Sequence, residues 1–166
     1  MDYIRTLNKG GYEHCFLCDS ENINKPSDLD HLLLWKSEHS QVLINRYPYA
    51  NGHLLVAPRA HKGDMIELSA AEHLDLSVQS TRAMQLLRRA VSAQGFNVGI
   101  NLGRVAGAGV PKHLHQHVVP RWGGDLNFMT VVGETRVVPQ AISQLFEELM
   151  RLLPELQAEW AAHPIV

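Results

Sequence analysis

Apolar positions along the chain fall first in short blocks and then in long stretches of helical period. Three early blocks, HLLLWKS (31–37), SQVLINR (40–46) and GHLLVAP (52–58), are bounded by turn residues and predict strands. Their close spacing predicts antiparallel neighbours. The next stretch opens with Ser69 and Glu72 in a capping-box spacing, repeats Leu74, Val78, Met84, Leu87 and Val91 at helical intervals, and closes at Gly95. FNVGINL (96–102) then alternates Phe96, Val98 and Ile100 with Asn97, Gly99 and Asn101, which predicts another strand. A glycine-rich connection, GRVAGAGVPK, leads from it into KHLHQHVVPRW (112–122), so the pair reads as a hairpin with a long loop. Residues 121–137 read as an irregular connection. Pro139 is the expected start of a second amphipathic helix, with Ile142, Leu145, Phe146, Leu149 and Leu153 on one face up to Pro154. The first thirty residues, with Gly10, Gly11, Pro26 and Asp28, predict an irregular knuckle.

A length of 166 residues fits one domain, 1–166, with the knuckle at 1–30 and the C-terminal helix and tail at 139–166. Net charge is only −2 with 19% charged residues, which removes the basic excess expected of a nucleic-acid or anionic-membrane binder. Any phosphate-bearing ligand must therefore be held locally. The N-terminal MDYIRTLNKGGYEH lacks an apolar core, and no apolar run approaches the ~18 residues needed to span a bilayer. A cytoplasmic location is the resulting expectation.

Candidate chemistry lies in histidine and cysteine. His113, His115 and His117 alternate, and in a Val-rich strand period-two spacing brings three imidazoles to one side. With 10 histidines in the chain, such a triplet arises in about 4% of shuffled sequences, so a solvated strand face stays open on spacing alone. The only cysteines, Cys15 and Cys18, form a Cys-x-x-Cys, which in a reducing compartment is a metal or redox pair before it is a structural disulfide. The glycine loop either presents N–H groups to phosphate or is simply a flexible connection.

Four features together carry a family resemblance: the Cys-x-x-Cys, NRYPYANGHLLVAPRAH (45–61), the glycine loop and the triad. Over roughly residues 13 to 150 the chain resembles the histidine triad family, and within it the branch of diadenosine polyphosphate phosphorylases and hydrolases. The resemblance implies an α+β fold with an antiparallel sheet of about five strands and two main helices, usually a homodimer. It implies a nucleotidyltransferase or hydrolase that cleaves at the α-phosphate through a nucleotidyl-histidine on His115. His117 would reach the phosphate and His53 would support the constellation. Asn45 would bind ribose, and the stretch from Asn101 through Gly107 and Gly109, with Lys112, would line the phosphate path. On local pattern alone Asn45 closes a turn and Asn101 caps a strand equally well. Cys15, Cys18, His61 and His113 would hold a structural zinc, His14, His31 or His39 being variant ligands and an empty or redox thiol pair the alternative. No organic cofactor is implied.

Two positions depart from the family pattern. Gln116 stands where an apolar residue is usual, although strand alternation turns it away from the active face. Gly109 stands where several dinucleotide hydrolases carry a glutamine, and the small residue leaves room for inorganic phosphate as acceptor. That is compatible with phosphorolysis, and the resemblance to this branch makes diadenosine tetraphosphate phosphorolysis the leading expectation, with phosphate and a nucleotide as partners and neither nucleic acid nor membrane involved. Alternatives are the tetraphosphate hydrolase, a phosphoramidase or nucleotide-sulfate-cleaving enzyme, and a nucleotide-binding sensor or scaffold with little turnover.

Overall fold

The computed structural model describes residues 15–25, 27–125 and 140–165. The element order is α1 (Phe16–Glu21), β1 (Leu33–Lys36), β2 (Ser40–Ile44), β3 (Leu54–Pro58), α2 (Ala70–Ala90), β4 (Gly95–Ile100), β5 (Gln116–Arg121) and α3 (Ile142–Ala162). Short 3-10 turns follow β3, at Met65–Glu67, and β4, at Arg104–Ala106. All five strands join one antiparallel sheet in the order β1-β2-β3-β5-β4. The expected α+β architecture, the three early strands and the β4–β5 hairpin are all present.

The two faces of the sheet have different covers. Leu34, Val42, Ile44, Leu54, Val56 and Val118 point toward α2 and α3 and form the main core with Leu76, Ala83, Leu86, Leu149 and Trp160. Leu33, Leu43 and Ala57 point the other way and pack against Leu17 of α1. Because both faces of the early strands are covered, β2 and β3 are buried along their whole length. That is why they read as continuous apolar runs rather than alternating ones.

Three polar side chains fix α1 on its face. Gln41 Nε2 donates to the Leu17 carbonyl at 2.7 Å, Lys36 Nζ donates to the Ile23 carbonyl at 3.1 Å, and Arg59 grips the Glu21 carboxylate at 2.6–2.9 Å. The knuckle is thus partly helical and docked, correcting the expectation of an irregular segment. Gly10, Gly11, His14 and Pro26 lie outside the described residues.

Both long helices differ from their predicted limits. In α2 the capping box forms, with Ser69 Oγ accepting from Glu72 N–H and the Glu72 carboxylate from Ser69 N–H. The helix ends at Ala90, and Gly95 already begins β4. Its buried face carries Leu76, Gln79, Ser80, Ala83, Leu86 and Leu87, whereas Leu74 is exposed and Val78 only partly covered. Gln79 is tolerated there because its Oε1 accepts the Trp35 indole N–H at 2.9 Å. Helix α3 begins at Ile142 and runs through Pro154 to Ala162, so neither the predicted start at Pro139, which is outside the described residues, nor the stop at Pro154 holds. Pro154 costs about 3 kcal/mol within a helix. Leu156 and Trp160 are buried beyond it, each contributing about 1.5–3 kcal/mol, and offset that cost.

Candidate active site and metal site

The face opposite α2 and α3 also carries the histidines. His53 enters β3 just ahead of Leu54, and alternation puts it on the side of Leu55 and Ala57. Leu55 pairs with His117 across the β3–β5 ladder, so His53 and His117 are diagonal neighbours on one face, with ring centroids 5.1 Å apart. The turn into His53 depends on Gly52, whose φ of +79° is a conformation L side chains rarely adopt. A methyl group there would come within 2.9 Å of Leu87 Cδ2.

The triad does not lie on one strand face as expected. Strand β5 starts at Gln116, so His113 and His115 precede it on a non-regular approach. The imidazoles divide accordingly. His115 stands edge-on to His117 with centroids 5.1 Å apart, whereas His113 turns to His61, 5.0 Å away. Gln116 pairs with Val56 and Ile100 on the helix side, away from His117, as alternation predicts.

Hydrogen bonds assign the ring protons. The Tyr49 N–H donates to His53 Nδ1 at 3.0 Å, and the Asn45 amide lies 3.2 Å from the same nitrogen. With Nδ1 an acceptor, neutral His53 carries its proton on Nε2 and donates it to His117 Nδ1 at 2.9 Å. His117 in turn holds its proton on Nε2, a buried atom with no hydrogen-bond partner among the described residues. His115 Nδ1 donates to the His113 carbonyl at 2.9 Å, which leaves the lone pair on His115 Nε2. Burial keeps both rings uncharged. It pushes His117 down to about 4, with His115 nearby adding to the effect, and lowers His115 against the opposing bond to the His113 carbonyl. The pair therefore presents one nucleophilic nitrogen and one N–H donor side by side.

Cys15, Cys18, His61 and His113 form a second group, with one ligand atom from each lying within 4.8 Å of the others. His113 Nδ1 is 3.3 Å from Cys15 Sγ and 3.5 Å from Cys18 Sγ, and His61 Nδ1 is 3.0 Å from Cys18 Sγ. A tetrahedral ion with bonds of about 2.3 Å to sulfur and 2.0–2.1 Å to nitrogen places those atoms about 3.5 Å apart, so the group fits a metal with little adjustment. His113 Nε2 donates to the Pro58 carbonyl at 2.9 Å, which turns the Nδ1 lone pair toward the cysteines. Burial, then Cys15, Asp19 and Glu21, push the Cys18 thiol up to about 11. A cation bound here would displace the thiol protons, because cysteine ligates a metal as its thiolate. His31 and His39 lie elsewhere, His31 bonded to Asp28 and His39 beside Glu38.

The remaining expected residues lie in the turn before His53 and in the loop between β4 and β5. Asn45 closes a turn through Oδ1, which accepts the Tyr47 N–H at 3.0 Å, while its amide meets His53, so it serves the turn and the site together. The Asn101 amide nitrogen lies 3.8 Å from where a side chain on Gly107 would begin, and Gly107 needs its φ of +90°. Gly107 and Ala108 spend their N–H groups on the Arg104 and Gly103 carbonyls, so these two do not form the anticipated anion nest. Gly109 is partly covered; Lys112 and Arg104 are exposed.

Sequence reasoning missed two positions. Tyr49 packs its ring 4.6 Å from His53 and stacks on His117 at 5.6 Å and 25°. Gly99 pairs with His117 from the β4 side, and a Cβ there would meet nothing within 4 Å, so the flank of His117 stays open. The sequence signal for Gly99 was a glycine inside an alternating strand.

A sheet strand and its approach that bring two neutral, oppositely poised histidines, His115 and His117, together beside a Cys2His2 group define the class of domain. Residues 27–124 match the HIT domain, and the chain belongs to that family. It is 38% identical over 138 residues to the AP-4-A phosphorylase of Mycobacterium tuberculosis, covering 83% of this chain and 67% of that protein. The asymmetrical bis(5'-nucleosyl)-tetraphosphatase of Schizosaccharomyces pombe is 30% identical over 95 residues, 57% of this chain and 52% of that protein. Among solved structures, a zinc-bound histidine triad family protein from Mycobacterium smegmatis superposes with a TM-score of 0.70 at 25% identity, covering 90% of this chain and 99% of that one.

Proposed function

We propose that this chain is a nucleotidyltransferase that cleaves diadenosine polyphosphates at the α-phosphate, with inorganic phosphate as acceptor. The observation that carries the reading is the paired protonation of His115 and His117, a lone pair on one Nε2 beside an N–H on the other. His115 Nε2 attacks the α-phosphorus and displaces the nucleoside polyphosphate, the bond to the bridging oxygen breaking as the N–P bond forms. His117 Nε2–H donates to a non-bridging oxygen where charge shifts in the transition state, a contribution of about 3 kcal/mol in comparable sites. His53 holds His117 in that protonation state, and Asn45 takes the ribose. Phosphate, drawn by Lys112 and Arg104 along the wall formed by Asn101, Gly107 and Gly109, then attacks nucleotidyl-His115 and regenerates the free ring. The named activities of the M. tuberculosis and S. pombe relatives support the substrate class.

Zinc is the metal we propose for Cys15, Cys18, His61 and His113, in keeping with the two-thiolate, two-imidazole donor set and the zinc-bound M. smegmatis relative. When bound it fills a closed tetrahedral site and supplies a structural tether between α1 and the approach to β5. We also propose a single domain in a homodimer whose second copy covers the exposed edge of β4, where Val98 is 42% exposed, with Leu102 and Val105 beside it. A cytoplasmic location fits; no described helix is long and apolar enough to cross a membrane. Product analysis tests the reaction. Diadenosine tetraphosphate should yield ADP and ATP in phosphate buffer. AMP plus ATP, with rate and product ratio indifferent to phosphate, would make the enzyme a hydrolase instead.

A further inference from the structure

The segment from Asn45 to His53 is a closed turn tied at both ends. Asn45 N–H donates to the His53 carbonyl at 2.9 Å, Asn45 Oδ1 accepts from Tyr47, and His53 N–H donates to the Ala50 carbonyl at 3.2 Å. Tyr49 sits at its centre and touches both histidines that set the proton on His117. Its backbone N–H occupies His53 Nδ1, while its ring lies against His53 and stacks on His117. Tyr49 is 46% exposed and its ring packs on both histidines, so it stands between solvent and the 2.9 Å bond from His53 Nε2 to His117 Nδ1.

We propose that Tyr49 is a positioning residue, whose ring clamps His53 against His117 and keeps the His117 proton on Nε2, facing the substrate. The physical need is specific. Neutral imidazole interconverts between two tautomers of similar energy, and water reaching His117 Nδ1 or His53 Nε2 can bond to either form. At His117 the bond from His53 Nε2 selects one of them. A side chain that excludes water from that bond holds the selection, and an aromatic ring does so through stacking that an aliphatic chain lacks. The contacts on both histidines are made by the ring, so phenylalanine should substitute and alanine should not.

The proposal rests on reading His117 Nε2–H as the phosphate donor, and its first readout needs no substrate. Long-range proton–nitrogen spectra of histidine-labelled full-length protein report which ring nitrogen carries each proton. Wild type and Tyr49→Phe should show His53 and His117 each as a single form protonated at Nε2. Tyr49→Ala should show the two forms mixed at His117. In turnover of diadenosine tetraphosphate, Tyr49→Ala should lose roughly 5- to 15-fold in kcat with KM within about two-fold, and Tyr49→Phe should keep wild-type kcat within about two-fold. If Tyr49→Ala folds poorly, Tyr49→Leu supplies an apolar cover without stacking and should give the same mixed spectrum. A single Nε2–H form persisting at His117 in the alanine and leucine variants would overturn the proposal. So would Tyr49→Phe losing as much kcat as Tyr49→Ala, because the phenol would then be the working group. Absence of turnover in wild type with the expected spectra would instead sink the proposed reaction and leave the positioning role standing.

Discussion

Glu72→Gln tests how much the charge on Glu72 contributes to the support beneath the site. The Glu72 carboxylate accepts from Lys62 Nζ at 2.7 Å through both oxygens and from Ser69 N–H at 2.6 Å, and the residue is buried. Lys62 matters beyond this pair. Its carbonyl accepts the Leu114 N–H at 2.7 Å, so the residue between His61, a proposed metal ligand, and the turn is stitched to the approach that carries His113 and His115. The bond to Lys62, followed by that to Ser69, holds Glu72 down to about 2 from an ordinary 4.5. A carboxylate depressed on folding adds stability that is complete above its unfolded value and is lost as pH falls from there through the folded one. At 1.36 kcal/mol per pH unit the full difference is about 3 kcal/mol. Lys62 is 30% exposed, and screening reduces the figure to about 1.5 kcal/mol. Glutamine keeps the capping geometry and removes only the charge. Urea unfolding should therefore show Glu72→Gln less stable by about 1–2 kcal/mol at pH 7, with the gap shrinking to less than half of that at pH 3. An equal gap at both pH values would refute the charge argument.

Gly52→Ala should destabilise by about 2 kcal/mol, through the left-handed backbone and the contact with Leu87, and lower Tm by about 4–8 °C in a thermal melt. It should also lower turnover, because His53 follows directly. Cys15→Ala or His61→Ala should reduce bound metal from about one ion per chain and lower Tm together with it, since binding energy at such a site is folding energy. Elemental analysis beside a chelator-dependent melt checks this, and metal-free protein as stable as the loaded form would contradict it.

How much was legible follows from what was local. Strands β2 and β3 were visible because turn residues bound each run, and the α2 start was visible because Ser69 and Glu72 are three residues apart. Rotation of α2 was not, because its buried face uses Gln79, Ser80 and Ala83, whose places are set by Trp35 and close packing rather than by size. The late start of β5 has a similar cause: His113 is drawn to Cys15, Cys18 and Pro58, partners distant in sequence, so a pattern that looks like six alternating positions is a turn followed by a strand. The clamps that Lys36, Gln41 and Arg59 place on α1 are long-range polar contacts with no period at all. Histidines and cysteines announced the site because their chemistry is rare. Tyr49 did not, since its part depends on a turn that lays one ring across two strands.

Trapping the covalent nucleotide decides whether His115 is the nucleophile. Enzyme mixed with diadenosine tetraphosphate without added phosphate and quenched rapidly in alkali should carry an acid-labile adenylyl group, located on His115 by peptide mass spectrometry. His115→Ala should carry none and should lose about 10³-fold or more in kcat, while still binding nucleotide because His117, His53 and Asn45 remain. Label on another residue, or near-normal turnover in His115→Ala, would rule out His115 as the nucleophile.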